Sequence, residues 1–216
     1  MSRIITPAEN ELPQAALRAG RKSDALNLLL NDPGALNRFD MFQQTPLHIA
    51  AEKGFDDMVA LFLQRGAKAN PADKNNWTPL HRYENSVQFT DVERLTYSLS
   101  SPSACAKAHW RSAKLLLENG ANPTLLTMEG TSALHYIVRH TWVQKELCTE
   151  VLTLMIEKGA DVNAQNLHMD TPLHHANLRV GIAESIAFLV QHGANINLPN
   201  GYEYPQKLSS KFCQSN

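Results

Sequence analysis

The chain is poor in the features that mark several large functional classes. Only three of its 216 residues are cysteines, Cys105, Cys148 and Cys213. An odd count without paired spacing gives no disulfide framework and suits thiols in a reducing compartment. Neither sign of charge dominates: 20 Lys and Arg stand against 21 Asp and Glu, for a net charge of -1. Nothing there draws the chain to nucleic acid or to an anionic membrane. No apolar run approaches the roughly 20 residues of a membrane span. Met58 to Leu63 is typical of the longest, and the start, from Met1 to Asn10, lacks a signal peptide's apolar core. No H-E-x-x-H, no paired C-x-x-C and no glycine-rich phosphate loop occurs. The expectation is therefore no metal, no cofactor and no catalytic residue, in a monomer that is cytoplasmic or nuclear.

What the chain does have is repetition. Thr-Pro-Leu-His stands complete at Thr45 to His48, Thr78 to His81 and Thr171 to His174, with a worn copy at Ser132 to His135. A second phrase, Gly-Ala, follows at Gly66, Gly120, Gly159 and Gly193. In each complete unit the Gly precedes the next Thr or Ser by 12 residues, as from Gly66 to Thr78. Thr at an N-cap accepts a hydrogen bond from an unpaired helix N–H, and Pro is pre-organised for the first helical position. The motif Leu turns to the core, and His can tie its own turn to the neighbouring unit through two ring nitrogens. Gly ends a second helix in the left-handed conformation. Polar, turn-prone residues such as Ala164-Gln165-Asn166 then form a hairpin or extended finger. Four of the nine histidines are thereby structural, His48, His81, His135 and His174.

A 33-residue period carrying T-P-L-H-x-A resembles the ankyrin-repeat family, whose signature this is. Thr45-Pro46-Leu47-His48-Ile49-Ala50-Ala51 and Lys158-Gly159-Ala160-Asp161-Val162-Asn163 carry the likeness, which extends over nearly the whole chain. The resemblance implies an all-α repeat solenoid: an ankyrin-like stack of about five helix-turn-helix units with β-hairpin fingers. It also implies a non-enzymatic protein–protein interaction module whose partner is a protein. Ankyrin proteins also serve as effectors that pathogens place in host cytoplasm, and uneven repeats are compatible with that use.

The expected organisation is a polar leader over 1–11, a single repeat domain over 12–204 and a capping half-unit over 205–216. The units lie near 12–44, 45–77, 78–131, 132–170 and 171–204. In the first, Leu12, Ala15, Ala16 and Ala19 are expected to give one helix its apolar side, and Ser23 to cap the second. The third unit is long, with an insertion over 82–108. Its own signals are a capping box at Thr90 to Glu93 and an apolar face of Val92, Leu95 and Leu99. In the fourth, Thr141 to Gln144 again fits a capping box. The insertion reads either as a structural patch or as a second binding surface.

The expected binding surface is concave, as the resemblance implies, and is lined by finger tips and first helices. The residues just before each Thr or Ser face it: Gln44, Trp77, Thr131 and Asp170. So do those three and four before: Met41 and Phe42, Lys74 and Asn75, Met128 and Glu129, Leu167 and His168. The helices add Glu52, Lys53, Arg139, His140, Leu178 and Arg179. Met41, Phe42, Trp77, Met128 and Leu167 are apolar where polar residues would suffice, the composition of a binding hot spot. Against this stand two other classes, an enzyme built around the insertion or around Cys148 and His140, and a structural spacer. Cys148 shares a helix face with Leu147 and Val151, where a small buried residue fits.

Overall fold

The computed structural model describes residues 12–82, 109–139, 145–177 and 183–201. The leader, nearly all of the insertion with its amphipathic segment, the capping box at 141–144 and the closing half-unit lie outside the described residues, as do His140, Leu178 and Arg179. The contacts divide the chain into two compact units. Among the described residues the first takes in 12–82 and 111–121, and the second takes in 109–110 and 122–201.

The first unit holds α1 (Pro13–Arg18), α2 (Lys22–Asn31), a 3-10 turn (Pro33–Asn37), α3 (Pro46–Lys53), α4 (Asp56–Gln64) and α5 (Pro79–Arg82). Most of α6 (Trp110–Glu118) belongs with it. Helix α3 packs against α1, α4 and α5. Ala50 and Ala51, both fully buried, keep α3 thin enough for that central place. A longer side chain there would overpack the site at a cost of about 1–3 kcal/mol. The second unit holds α7 (Ala133–Ile137), α8 (Lys145–Glu157), α9 (Pro172–Asn177) and α10 (Ala183–Gln191). Helix α9 packs against α7 and α10.

The repeated phrases do their work locally. Pro13, Pro46, Pro79 and Pro172 each open a helix. The motif leucines Leu47, Leu80, Leu134 and Leu173 are buried. Thr45 and Ser132 form capping boxes whose third helical residue is His in place of the usual Glu or Gln. Gly66, Gly120, Gly159 and Gly193 all lie at φ of 87° to 90°. The following alanines donate at 2.9 Å to carbonyls five residues back, Phe62, Leu116, Met155 and Leu189. That is the Schellman closure of a helix C-terminus.

In α1 the buried residues are Pro13, Gln14, Ala16 and Leu17, whereas Ala15 and Ala19 are exposed. The expected apolar side was displaced by one position, because Leu12 is the N-cap and does not belong to the helix. Ser23 is exposed inside α2, which starts at Lys22 with Arg21 as its cap.

The fingers are tight turns. Among the described residues the only ladder is one antiparallel bridge, Leu126 to Ser132. Fingers 40–44, 73–77, 127–131 and 166–170 share one design. The first residue's N–H donates to the last residue's carbonyl at 2.9–3.0 Å, and the fourth residue's N–H donates back to the first carbonyl. The fourth residue is left-handed each time: Gln43, Asn76, Gly130 and Met169. The first side chain closes the loop. The Oδ1 atoms of Asp40, Asp73 and Asn166 each accept two backbone N–H groups at 2.8–3.0 Å. Thr127 Oγ1 accepts from the Thr131 N–H at 3.2 Å.

Candidate partner-binding surface

Two sets of side chains tie successive repeats together. The first is the motif His. The Thr45 N–H donates to His48 Nδ1 at 3.0 Å, which leaves the ring proton on Nε2 to bond the Trp77 carbonyl at 3.0 Å. His135 does the same with Ser132 and the Asp170 carbonyl, at 3.2 and 3.1 Å. Burial pushes His48 down to about 4, against smaller upward pulls from the Trp77 bond and nearby Asp73. Burial also lowers His135 and His174. The second set is asparagine. Asn37, Asn70 and Asn163 donate through Nδ2 to the carbonyls of Gly66, Gly120 and Gly193, at 2.8–3.3 Å. Those carbonyls sit at helix ends that the helices themselves cannot satisfy.

In the first unit an arginine stands behind each of two finger aromatics, Phe42 and Trp77. Arg18 pairs with Asp40, bonds Gln44 Oε1 at 2.6 Å and places its guanidinium 5.2 Å from the Phe42 ring centre. Arg82 pairs with Asp73, lies 3.5 Å from Glu52 and sits 5.3 Å from the Trp77 ring centre. Lys74, from the second finger, places its ammonium 5.4 Å from the Phe42 ring. Burial alone would raise Asp73, but the Arg82 guanidinium and the N–H groups of Asn75 and Trp77 outweigh it and hold the carboxyl below its ordinary range. Glu52 moves the other way: burial raises it, against opposing pulls from Arg82, Lys53 and Arg18. Met41 is 86% exposed, Phe42 is 40% exposed, Trp77 is half-buried, and Lys53, Lys74 and Asn75 are exposed.

In the second unit the tips are joined through backbone. The Leu167 N–H donates to the Glu129 carbonyl at 3.0 Å, and the Gly201 N–H donates to the His168 carbonyl at 2.9 Å. A Cβ on Gly201 would stand 2.9 Å from that same oxygen, so a side chain there would break the joint. Asn200 donates to Asp170 at 3.1 Å. Met128 is 65% and Leu167 75% exposed, and Met169, which sequence reasoning passed over, is 46% exposed. His168 is exposed, while Arg139 and Asp170 are half-buried.

Two expected surface residues are not on the surface. Gln44 and Thr131 are buried at 6% and 2% exposure. Each is the last residue of its finger, where its carbonyl closes the turn, and Gln44 is held further by Arg18 and by Gln14 Nε2 at 2.9 Å. Sequence reasoning also missed Arg18, Arg82 and the residues that open each finger. Their signal was phase: Asp40, Asp73, Thr127 and Asn166 all stand five residues before a helix cap. Cys148 is fully buried in α8. Among the described residues no three His, Cys, Asp or Glu side chains gather to hold a metal, and no helix is long and apolar enough to cross a membrane.

Helical hairpins, left-handed helix stops and turned fingers in register define an all-α repeat solenoid. Residues 12–86 and 103–200 match the sequence pattern of ankyrin repeats in 3 copies, and the chain belongs to the ankyrin-repeat family. Ankyrin repeats are in general protein–protein interaction modules. The chain is 30% identical over 156 residues to the mouse B-cell lymphoma 3 protein homolog, covering 72% of this chain and 30% of that protein. To human ankyrin repeat and SOCS box protein 16 it is 31% identical over 162 residues, or 72% and 28% of the two chains. To human transient receptor potential cation channel subfamily A member 1 it is 27% identical over 180 residues, or 75% and 16%. The chain thus spans less than a third of the length of each of these relatives.

Proposed function

We propose that the chain is a non-enzymatic interaction module that binds a protein partner on the finger tips and first-helix side of its units. One observation carries this reading. Met41, Phe42, Met128 and Leu167 are held exposed on turns closed by the same bonds at every finger. A rigid display of apolar side chains costs little ordering on binding, and exposed Met and aromatic residues are the anchors that interfaces use. In the first unit the expected surface is Met41, Phe42, Lys53, Lys74, Asn75 and Trp77, with Glu52 at its half-buried margin. In the second unit it is Met128, Leu167 and His168, with Arg139 and Asp170 at the margin. An enzyme built on Cys148 is disfavoured, because that thiol is sealed in the core where no substrate can meet it.

The test is affinity capture from cytosol with wild type beside the triple variant Phe42→Ala, Trp77→Ala, Met128→Ala. A protein retained by the wild type and lost by the variant is the expected result. Equal retention by both refutes the finger-face assignment.

A further inference from the structure

The finger face of the first unit carries an imbalance that net charge conceals. Among the described residues its acids are turned inward. The side chain of Asp40 is 4% exposed, that of Asp73 is not exposed at all, and that of Glu52 is 21% exposed. The two aspartates are consumed in closing their fingers and in pairing with Arg18 and Arg82. Arg82 is turned in with them, its side chain 12% exposed, but three other cations stay outward. Arg18 keeps 35% of its side chain in solvent, and Lys53 and Lys74 are exposed and form no ion pair with any described residue. Lys74 and Arg18 converge on the ring of Phe42, next to the exposed Met41. The second unit lacks this arrangement: its tips read Met128-Glu129-Gly130 and Leu167-His168-Met169, with no lysine or arginine among them.

We infer that the finger face of the first unit takes an acidic peptide segment that also bears apolar side chains. Its carboxylates meet Lys53, Lys74 and the open side of Arg18, and its apolar side chains lie against Met41, Phe42 and Trp77. The surface supplies the counter-charge from exposed cations, and complementary charge of this kind sets partner choice and encounter rate. A polyphosphate partner such as a nucleic acid is less well matched, because the chain has no basic excess and the cations are interleaved with apolar tips. The inference rests on the finger-face reading given above.

The test uses the whole chain and a displayed library of random 16-residue peptides. The expected pool is enriched in Asp and Glu beside Leu, Phe or Trp. Its affinity should fall by at least about tenfold in Lys53→Glu/Lys74→Glu and fall as salt rises. It should also fall in Met41→Ala/Phe42→Ala and be unchanged in Leu30→Ala/Val190→Ala, which alters exposed apolar residues of α2 and α10 outside the proposed surface. A pool without acidic excess that still depends on Met41 and Phe42 overturns the acidic partner and leaves the finger face standing. An acidic pool indifferent to the lysine reversal also overturns it. A pool indifferent to the Met41/Phe42 pair sinks the finger-face reading in this unit and the inference with it. Failure to select any peptide, or tighter retention of a random 20-nucleotide DNA than of the pool, counts against the acidic peptide. Circular dichroism of all three double variants, which alter exposed side chains, checks that the loss is not unfolding.

Discussion

Acid should loosen the first unit through one ring. His48 is neutral in the fold because Nδ1 must accept the Thr45 N–H while Nε2 donates to the Trp77 carbonyl. A second proton would set donor against donor at Nδ1, in a site that burial already makes hostile to charge. The residue titrates at about 4 in the folded chain against 6.5 in an open one. Between those values the unfolded chain binds more protons, so stability is complete above about pH 6.5 and is lost as pH falls toward 4. At about 1.4 kcal/mol per pKa unit, the full loss is on the order of 3 kcal/mol. Between pH 7 and pH 5 it is on the order of 2 kcal/mol. The comparison is with His48→Gln, since Gln is a natural capping-box residue at this position and does not titrate. Urea unfolding followed by far-UV circular dichroism at the two pH values measures both proteins. The wild type should lose about 2 kcal/mol more than the variant on acidification. His135 and His174 push the same way, but they are present in both proteins and cancel. Equal losses would mean that His48 is not buried neutral and that the Trp77 tie is absent.

Other substitutions probe the remaining joints. Gly66→Val should lower stability by about 1–2 kcal/mol, since φ there is +87° and the cost is backbone strain with nothing within 4 Å to clash. An unchanged melting temperature would contradict the left-handed stop. Thr124 stands where Asn37, Asn70 and Asn163 stand in other units, and its Cγ2 lies 3.6 Å from where a Cβ on Gly159 would be. Thr124→Asn should let an amide reach the Gly159 carbonyl and gain about 0.5–1 kcal/mol, seen as a higher urea midpoint. Asp73→Ala removes the acceptor of two finger N–H groups and the partner of Arg82 together, and should cost about 2–4 kcal/mol in urea unfolding. A cost under about 0.5 kcal/mol, the usual scatter for a surface change, would show that this finger closes without its acid.

Most of the scaffold was legible because its parts are local and periodic. Thr-Pro and Gly-Ala specify where helices start and stop within a few residues of themselves, and their phase repeats down the chain. The bridging His was legible as a role, since a ring with two nitrogens at a cap has one to spare. What escaped was side-chain direction. The residue before each cap was expected to face outward, yet Gln44 and Thr131 turn in because the finger closes on them. The arginines behind Phe42 and Trp77 also escaped. Arg18 and Arg82 occupy different positions relative to their helix starts, at Pro13 and Pro79, so no periodicity announces their shared task. The first helix shows the same limit: without a Thr or Ser to mark the cap, the inferred apolar side of Leu12, Ala15, Ala16 and Ala19 includes the buried Ala16 but takes in the exposed Ala15 and Ala19 and leaves out Leu17.

That division of labour explains why the tips can differ while the scaffold repeats. The bonds that close each finger use backbone groups and the first side chain of the turn, and the bonds that tie it to the next use His at the cap and Asn beyond the stop. None of these requires a particular side chain at the second or third finger position. Met41-Phe42, Lys74-Asn75, Met128-Glu129 and Leu167-His168 therefore occupy equivalent places on equivalent turns with unlike chemistry. Exchanging Met41-Phe42 for Lys74-Asn75 in the first finger should leave the urea midpoint within about 0.5 kcal/mol of wild type, the usual range for surface changes. The same exchange should change which peptides the first unit retains. A large loss of stability would show that Phe42 serves the scaffold through Arg18 and Lys74, and would move the recognition surface off the first finger.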